Sequence, residues 1–111
     1  MALPELVQNE KGRVITISWY KDHTQPPESE TITGATITGK IETGPGPEFS
    51  SRLISGALVV SATNQHTWTL HYDDTYVDGD FLAKFRAVFS GGKELFTIPT
   101  PLKVIRSVEW P

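Results

Sequence analysis

Apolar and polar residues alternate along much of this chain with a period of two, the period of a β-strand that buries one face. In residues 81–89 every odd position is Phe or Ala. In residues 13–20 the same alternation places Ile15, Ile17 and Trp19 on one side, while Val14 and Tyr20 on the other side predict that this second face is partly covered. No ten-residue window shows sustained helical spacing, so the pattern predicts an all-β chain.

The same alternation predicts further strands between clusters of Gly, Pro, Asn and Asp. They are expected at residues 34–42, 53–61, 65–72, 93–98 and 102–109, with a short N-terminal edge piece at 3–8. Their inward positions are expected to be Ala35, Ile37, Gly39, Ile41, Ile54, Gly56, Leu58, Val60, Trp68 and Leu70. Thr36, Thr38, Lys40 and Glu42 form the outer face of the strand at 34–42. Because Gly39 is in mid-strand, we expect a bulge there or the close approach of a Trp or Phe.

The connections between these strands have recognisable turn chemistry. Residues 9–12 and 62–64 are expected to be turns, and Gly91-Gly92 a two-residue hairpin turn. The polar segment 21–33 and the Gly/Pro-rich segment 44–48 are predicted loops. Residues 73–79 predict a connection with one helical turn, for which Asp73 is a suitable cap. Pro99 and Pro101 are expected to interrupt strand pairing.

A chain of 111 residues is close to the commonest size of one domain, so we expect a single domain over residues 1–111. Short strands without helices need two packed sheets or a barrel. Length and turn spacing favour an immunoglobulin-like antiparallel β-sandwich of about seven strands. A small barrel is the alternative, and the Cys–Trp–Cys pattern of antibody domains is absent.

Composition excludes several classes of function. The chain has no Cys, which excludes disulfides, a thiolate nucleophile and a Cys-based zinc site. The net charge is −3 and the basic residues are scattered, which disfavours nucleic-acid binding. No stretch reaches the roughly 20 apolar residues of a membrane helix. The N-terminus lacks a signal-peptide pattern, so synthesis in the cytoplasm without export by the usual route is expected.

The strongest metal candidate in the sequence is the acidic group Asp73, Asp74, Asp78 and Asp80, because hard cations take several carboxylate oxygens from one loop. Counted from Asp74, Asp78 and Gly79 fall at the fifth and sixth positions of a calcium loop. Tyr76 stands at the third position and Phe85 at the twelfth, where ligands belong. We therefore expect a solvated turn and no metal or other cofactor.

Other candidate chemistry is equally sparse. His66 and His71 differ by an odd number and face opposite sides of a strand, and His23 lies in a polar loop; each is expected to be a surface histidine. Ser55 and Ser90 lack a Gly-x-Ser-x-Gly elbow. Four glutamates are candidates for a glycosidase pair but lie in or beside loops: Glu28, Glu30, Glu42 and Glu48. We expect no catalytic, cofactor or metal residues, and no enzyme.

Aromatic residues and strand edges offer routes to binding. Trp19 and Trp68 are in phase with core positions and are expected to be buried, whereas Tyr20, Tyr72, Tyr76 and Trp110 are candidates for an exposed carbohydrate platform. An edge strand can add to a neighbouring sheet. Trp110, at the extreme C-terminus, either docks on the domain or contacts a partner.

Two segments carry a family resemblance. Residues 30–41, with Thr33-Gly34-Ala35-Thr36 at their centre, are followed by a strand ending at Asp73-Asp74 and then by Gly79-Asp80-Phe81. Over roughly residues 13–108 this order resembles small immunoglobulin-like phage or prophage proteins, similar to the N-terminal domain of phage baseplate upper proteins. The resemblance implies a baseplate- or tail-like structural role without catalytic residues.

These observations lead to one functional expectation and two alternatives. We expect a non-enzymatic phage or prophage structural or assembly protein that contacts other protein subunits. A homo-oligomer and a component of a virion are the forms considered. No nucleic-acid or membrane partner is expected. The first alternative is a carbohydrate- or surface-binding module, and the second is a minor enzyme or metal protein.

Overall fold

The computed structural model describes residues 3–21, 28–43, 51–97 and 99–106. Within them the chain forms eleven short strands and one helical turn. The strands are β1 Leu6–Val7, β2 Val14–Ser18, β3 Tyr20–Lys21, β4 Glu28–Ser29, β5 Thr36–Glu42, β6 Ser51–Leu53, β7 Ala57–Ala62, β8 Gln65–Thr69, β9 Gly79–Val88, β10 Glu94–Phe96 and β11 Thr100–Ile105; the helix is α1 Tyr72–Thr75. That helix has four residues, and the described part of the chain holds no helix long and apolar enough to cross a membrane.

The strands form two sheets that pack as an immunoglobulin-like β-sandwich, which confirms the predicted fold class. The larger sheet has the order β1-β11-β9-β5-β6, with β10 also paired to β9, and the smaller sheet has the order β2-β8-β7. In the immunoglobulin lettering, β2, β7 and β8 correspond to B, D and E, while β5, β6, β9 and β11 correspond to C, C′, F and G. A separate two-stranded ribbon pairs β3 with β4.

The core lies between the sheets, where the predicted inward positions meet. Trp19, Ile37, Trp68 and Phe85 are buried, and Leu58 packs against them from a partly buried position. The other buried apolar residues are Leu6, Ile15, Ile17, Ile32, Ile41, Leu70, Ala83, Ala87, Leu102 and Val104. The period-two alternation therefore predicted correctly which face of each strand is apolar and buried.

Gly39 confirms the expectation of a close approach in mid-strand. A Cβ at this position would lie 2.9 Å from Cδ1 of Phe85 and 2.6 Å from Cδ1 of Ile54. Phe85 is the residue directly opposite on β9. Glycine is needed because the aromatic ring occupies the space that a side chain would fill.

Several predicted element boundaries were wrong. The segment 53–61 is not one strand, because the chain leaves the larger sheet after β6 and enters the smaller one at β7. The segment 21–33 is not all loop, since β4 pairs with β3. Pro101 lies within β11, which pairs with β9 around it. The loops expected around Pro26-Pro27 and at 44–48 lie outside the described residues.

One turn and one strand face also differ from expectation. The hairpin turn after β9 consists of residues 90–92 and not of Gly91-Gly92 alone, because the backbone N–H of Phe89 donates to the Lys93 carbonyl at 2.9 Å. The outer side of β2 is not covered, since Val14 and Tyr20 are both exposed. The turn at 9–12 is as expected, with positive φ at Asn9 and Gly12.

Candidate interaction surfaces

The structure does not assemble the acidic group into a metal site. Asp74 points inward and is buried, whereas Asp78 and Asp80 are exposed and Asp73 is half-buried. Within the part of the chain that the structure describes, no group of three or more His, Asp or Glu side chains is placed to hold a metal ion. The four carboxylates are therefore neighbours in sequence that do not converge in space.

Asp74 instead forms a buried hydrogen-bonding centre. Its Oδ1 accepts from the backbone N–H of Ser55 at 2.7 Å, and its Oδ2 accepts from the backbone N–H of Gly56 at 3.0 Å. Oδ2 also accepts from Nε1 of Trp68 at 3.1 Å and from the backbone N–H of His71 at 3.2 Å. One carboxylate therefore joins β8, the start of α1 and the crossing between β6 and β7.

The helix cap differs from the one expected. His71, not Asp73, is the N-cap residue, and its Nδ1 accepts from the backbone N–H of Asp73 at 3.1 Å. The Asp74 side chain accepts from the backbone N–H of His71, which completes a capping box. Asp73 falls in the first helical turn, 3.5 Å from His71 Nδ1, where its negative charge is favourable.

His66 is a core residue, and its expected surface position was wrong. Nε1 of Trp19 donates to Nδ1 of His66 at 2.8 Å. The Phe85 ring lies edge-on to the imidazole, with centroids 4.7 Å apart. His66 Nε2 is buried without a hydrogen-bond partner in the described residues. Because desolvation disfavours the charged form, burial lowers the pKa of His66 from 6.5 to about 4.

The alternation of β8 contained the signal that places His66. His66 and Trp68 are two residues apart in β8, and residues two apart in a strand face the same side. His71 lies beyond the end of β8 and is not beside His66, and His23 lies outside the described residues.

The other candidate catalytic residues that the structure describes, Glu30, Glu42, Ser55 and Ser90, lie in separate places. Glu42 is on the outer face as predicted but is buried, and its Oε1 lies 2.9 Å from Nζ of Lys84. Ser55 contributes its backbone N–H to Asp74, and Ser90 is exposed in the turn after β9. Glu30 is half-buried beyond β4; Glu48 and the side chain of Glu28 lie outside the described residues.

The exposed aromatic residues are where the sequence placed them. Tyr20, Tyr72 and Tyr76 are each about half exposed, and Trp110 lies outside the described residues. Tyr72 stacks on His71 with ring centroids 4.6 Å apart. The guanidinium of Arg52 lies 5.1 Å from the centroid of the Tyr76 ring. Tyr72 is the first residue of α1 and Tyr76 directly follows its last residue.

The outer face of the larger sheet combines cationic and apolar side chains; we call Leu53, Lys40, Lys84, Arg86 and Phe96 the basic face. Lys40 lies directly opposite Lys84 on one side and Leu53 on the other. Arg86 lies directly opposite Phe96. Leu53 is 69% exposed and Phe96 is 64% exposed. Large apolar side chains at these exposures are available to a partner.

Ion pairs neutralise part of the basic face. Lys84 pairs with Glu42, and Arg86 pairs with Glu94 at 3.5 Å. Lys40 has no ion pair within the described residues. Like charges directly opposite each other in a sheet are destabilising, and the Glu42 carboxylate offsets this repulsion at Lys84.

The smaller sheet has the opposite character, and we call its three strands β2, β8 and β7 the neutral sheet. None of them contains Asp, Glu, Lys or Arg. The sequence has no such residue anywhere from Leu53 to Tyr72. The outer face carries Val14 and Thr16 on β2, Thr67 on β8, and Val59 on β7, with Val14 58% and Val59 57% exposed.

Comparison with known proteins gives no family. Neither the models of protein families nor the curated proteins include a match to this chain.

Proposed function

We propose that the protein is a non-enzymatic structural or assembly component of a phage or prophage particle, baseplate- or tail-like, that acts through protein–protein contacts. The observation that carries the contact role is the basic face, where Leu53 and Phe96 expose large apolar side chains on either side of cationic groups. The phage context comes from the sequence resemblance described above.

The energetics of the basic face favour a protein partner. Covering an exposed Leu or Phe side chain stabilises a complex by about 1.5 to 3 kcal/mol. Both side chains project from β-strands, so little conformational entropy is lost when they are covered. Phe96, an aromatic anchor directly opposite Arg86, has the composition of interface centres.

The charges indicate what the partner carries. Lys40 lies opposite Lys84, and Glu42 is the acidic residue paired to the latter. A carboxylate from a partner would lie between the two ammonium groups and relieve their repulsion. We therefore infer a partner surface with acidic groups beside an apolar patch, which steers association at low ionic strength.

Particle fractionation tests this function. Phage particles from the strain of origin would be purified by density gradient and probed with an antibody against this chain. We expect the chain to sediment with the particles, and its absence from them would reject the phage role. In a strain complemented with Phe96→Ser, incorporation should fall.

The matched control for Phe96→Ser is Val14→Ser. Val14 has a similar exposure but lies on the neutral sheet, so its variant should be incorporated like the wild type. Equal loss in both variants would mean that the basic face is not the contact.

A second function is favoured by one observation, the two half-exposed tyrosines at either end of α1. Tyr72 and Tyr76 each offer a ring face, and Asp73 and Asp78 supply carboxylates beside them. Sugars bind proteins through this combination of stacking and hydrogen bonding. A glycan array would test it: binding that is lost in Tyr72→Ala supports a carbohydrate-binding module, and an array without signal rejects it.

A further inference from the structure

We infer that the β7 edge of the neutral sheet pairs with the β7 edge of a second copy of this chain, which joins two neutral sheets into one. β7 is a terminal strand of its sheet, with β8 on one side and no strand on the other side within the described residues. Its outer edge therefore carries backbone N–H and C=O groups without a ladder partner, the template on which strand addition occurs.

β7 lacks the side chains that normally protect an edge, and its one bulge lies at its C-terminal end. Exposed edges usually carry Lys, Pro or an inward-pointing charge, which block pairing with another chain. β7 has the sequence ALVVSA and holds none of these. Its one irregularity is the register shift between Val60 and Ala62, which leaves Ala57 to Val60 as a regular stretch.

Charge singles out a second copy as the partner. Each chain carries a net charge of −3, which opposes self-association over most of its surface. From Leu53 to Tyr72 the chain has no charged residue, so two β7 strands meet without like charges opposite each other in any antiparallel register. The terminal strands of the larger sheet do not share this property, since β6 contains Arg52 and β1 follows directly after Glu5.

The other terminal strand of the neutral sheet is less suitable. β2 begins directly after Arg13, whose Nη1 donates to the Glu5 carbonyl and lies 3.5 Å from Glu10. An antiparallel pair of β2 strands would place two such charged groups at its ends. The neutral flanks of β7 have no equivalent obstacle.

The pairing has an expected geometry. A two-fold axis beside β7 gives the strand order β2-β8-β7-β7′-β8′-β2′, where primes mark the second copy. Adjacent strands lie about 4.8 Å apart, so β7 and β7′ are one spacing apart while β2 and β2′ are five spacings, roughly 24 Å, apart. Such an edge contact buries less than the roughly 800 Å² per partner of a standard interface, so a weak dimer is expected.

Sedimentation equilibrium tests the dimer. The chain has a mass of 12.3 kDa, and we expect the apparent mass to rise toward twice this value as concentration approaches several hundred micromolar, the range of a weak dimer. Val59→Lys places two like charges beside each other across the axis and should weaken the dimer about fivefold. Val14→Lys is the matched control and should dimerise like the wild type.

Dipolar EPR distinguishes edge pairing from stacking of the two neutral faces. The chain has no Cys, so a single nitroxide is attached at Val59→Cys or at Val14→Cys. We expect a short distance between labels at position 59 and one about 20 Å longer at position 14, because four more strand spacings separate the β2 strands. Similar distances at the two positions would overturn the inference.

A monomer at every concentration would also overturn it, as would equal weakening by Val59→Lys and Val14→Lys. Circular dichroism checks that both variants fold, which their exposed positions lead us to expect. The basic face lies on the other sheet and does not include β7. Failure of the dimer therefore leaves the particle experiment unaffected, and the reverse also holds.

Discussion

Nε1 of Trp19 donates a 2.8 Å hydrogen bond to Nδ1 of His66 in the interior of the sandwich. The bond joins the segment after β2 to β8, and both side chains are fully buried or nearly so. Because Nδ1 accepts, the neutral imidazole carries its proton on Nε2, which has no partner within the described residues. The pair satisfies the indole only while His66 stays uncharged.

Acid should therefore destabilise the domain through His66. Burial lowers the pKa of His66 from 6.5 to about 4, so between these values the unfolded chain binds a proton that the folded chain excludes. The His66 contribution is constant above about pH 6.5, falls as pH decreases, and levels off below about pH 4. The loss amounts to about 2 kcal/mol at pH 5, measured by urea unfolding against pH 7.

The variant His66→Gln isolates this effect. Glutamine can accept from Trp19 without titrating, so stability should change much less between pH 7 and pH 5 even if the variant is weaker at pH 7. His71→Gln is the control, since His71 is half exposed and should leave the pH dependence in place. An unchanged pH slope in His66→Gln would refute the assignment.

Asp74 should be among the most sensitive polar positions of the domain. Asp74→Ala leaves four donors without their acceptor: the backbone N–H groups of Ser55, Gly56 and His71, and Nε1 of Trp68. Each buried donor left unpaired costs about 1 to 3 kcal/mol, although some will gain water. We expect a loss of about 4 kcal/mol in the free energy of unfolding.

The neighbouring Asp73→Ala is the matched control for Asp74→Ala. Asp73→Ala loses only a favourable negative charge in the first helical turn, about 0.5 kcal/mol. Thermal and urea unfolding of the two variants measure the difference. Equal losses would show that the Asp74 bonds contribute little.

Strand alternation was sufficient to predict most of the core, because it reports directly which side of a strand is apolar. It missed Ile32, which is fully buried although its segment was predicted to be a polar loop. Trp19, Ile37, Trp68 and Phe85 were all placed correctly by this argument. Gly39 was also predictable, since a glycine in mid-strand needs a large neighbour to fill its space. Local pattern is informative wherever burial alone determines the residue type.

The change of sheet between β6 and β7 was not predictable in the same way. The apolar phase continues unbroken from Ile54 to Val60, so the alternation gives no sign of a break. The break is stabilised by Asp74, which accepts from Ser55 and Gly56 at a sequence separation of 19 and 18 residues. The polar residues whose role depends on such distant partners, Asp74 and His66, were both misjudged as surface groups.

Gly56 should tolerate no side chain. A Cβ there would collide with the Thr69 carbonyl oxygen and would lie 2.8 Å from Oδ2 of Asp74. The carbonyl belongs to the paired strand β8 and cannot move without breaking the sheet. We expect Gly56→Ala to lower the free energy of unfolding by about 3 kcal/mol or more.

Gly91→Ala is the control for Gly56→Ala, because a Cβ at Gly91 meets nothing within 4 Å. Its effect on urea unfolding should be within about 0.5 kcal/mol. An equally small effect of Gly56→Ala would mean that the backbone between β6 and β7 can move away from the added Cβ, which would contradict the close contacts at this position.

Phe85→Ala and Phe96→Ala should differ in their effect on the free energy of unfolding, because Phe85 lies in the core and Phe96 on the basic face. Phe85 is 3% exposed and packs against His66 and Trp68 at centroid distances of 4.7 and 5.9 Å, so Phe85→Ala should cost about 3 to 5 kcal/mol. Phe96, at 64% exposure, should cost under about 1 kcal/mol when changed to Ala, because most of its ring is already in water. Urea unfolding of both variants measures the contrast. A large loss in Phe96→Ala would mean that this ring is held by the domain itself, and the basic face would then lack one of its two apolar anchors for a partner.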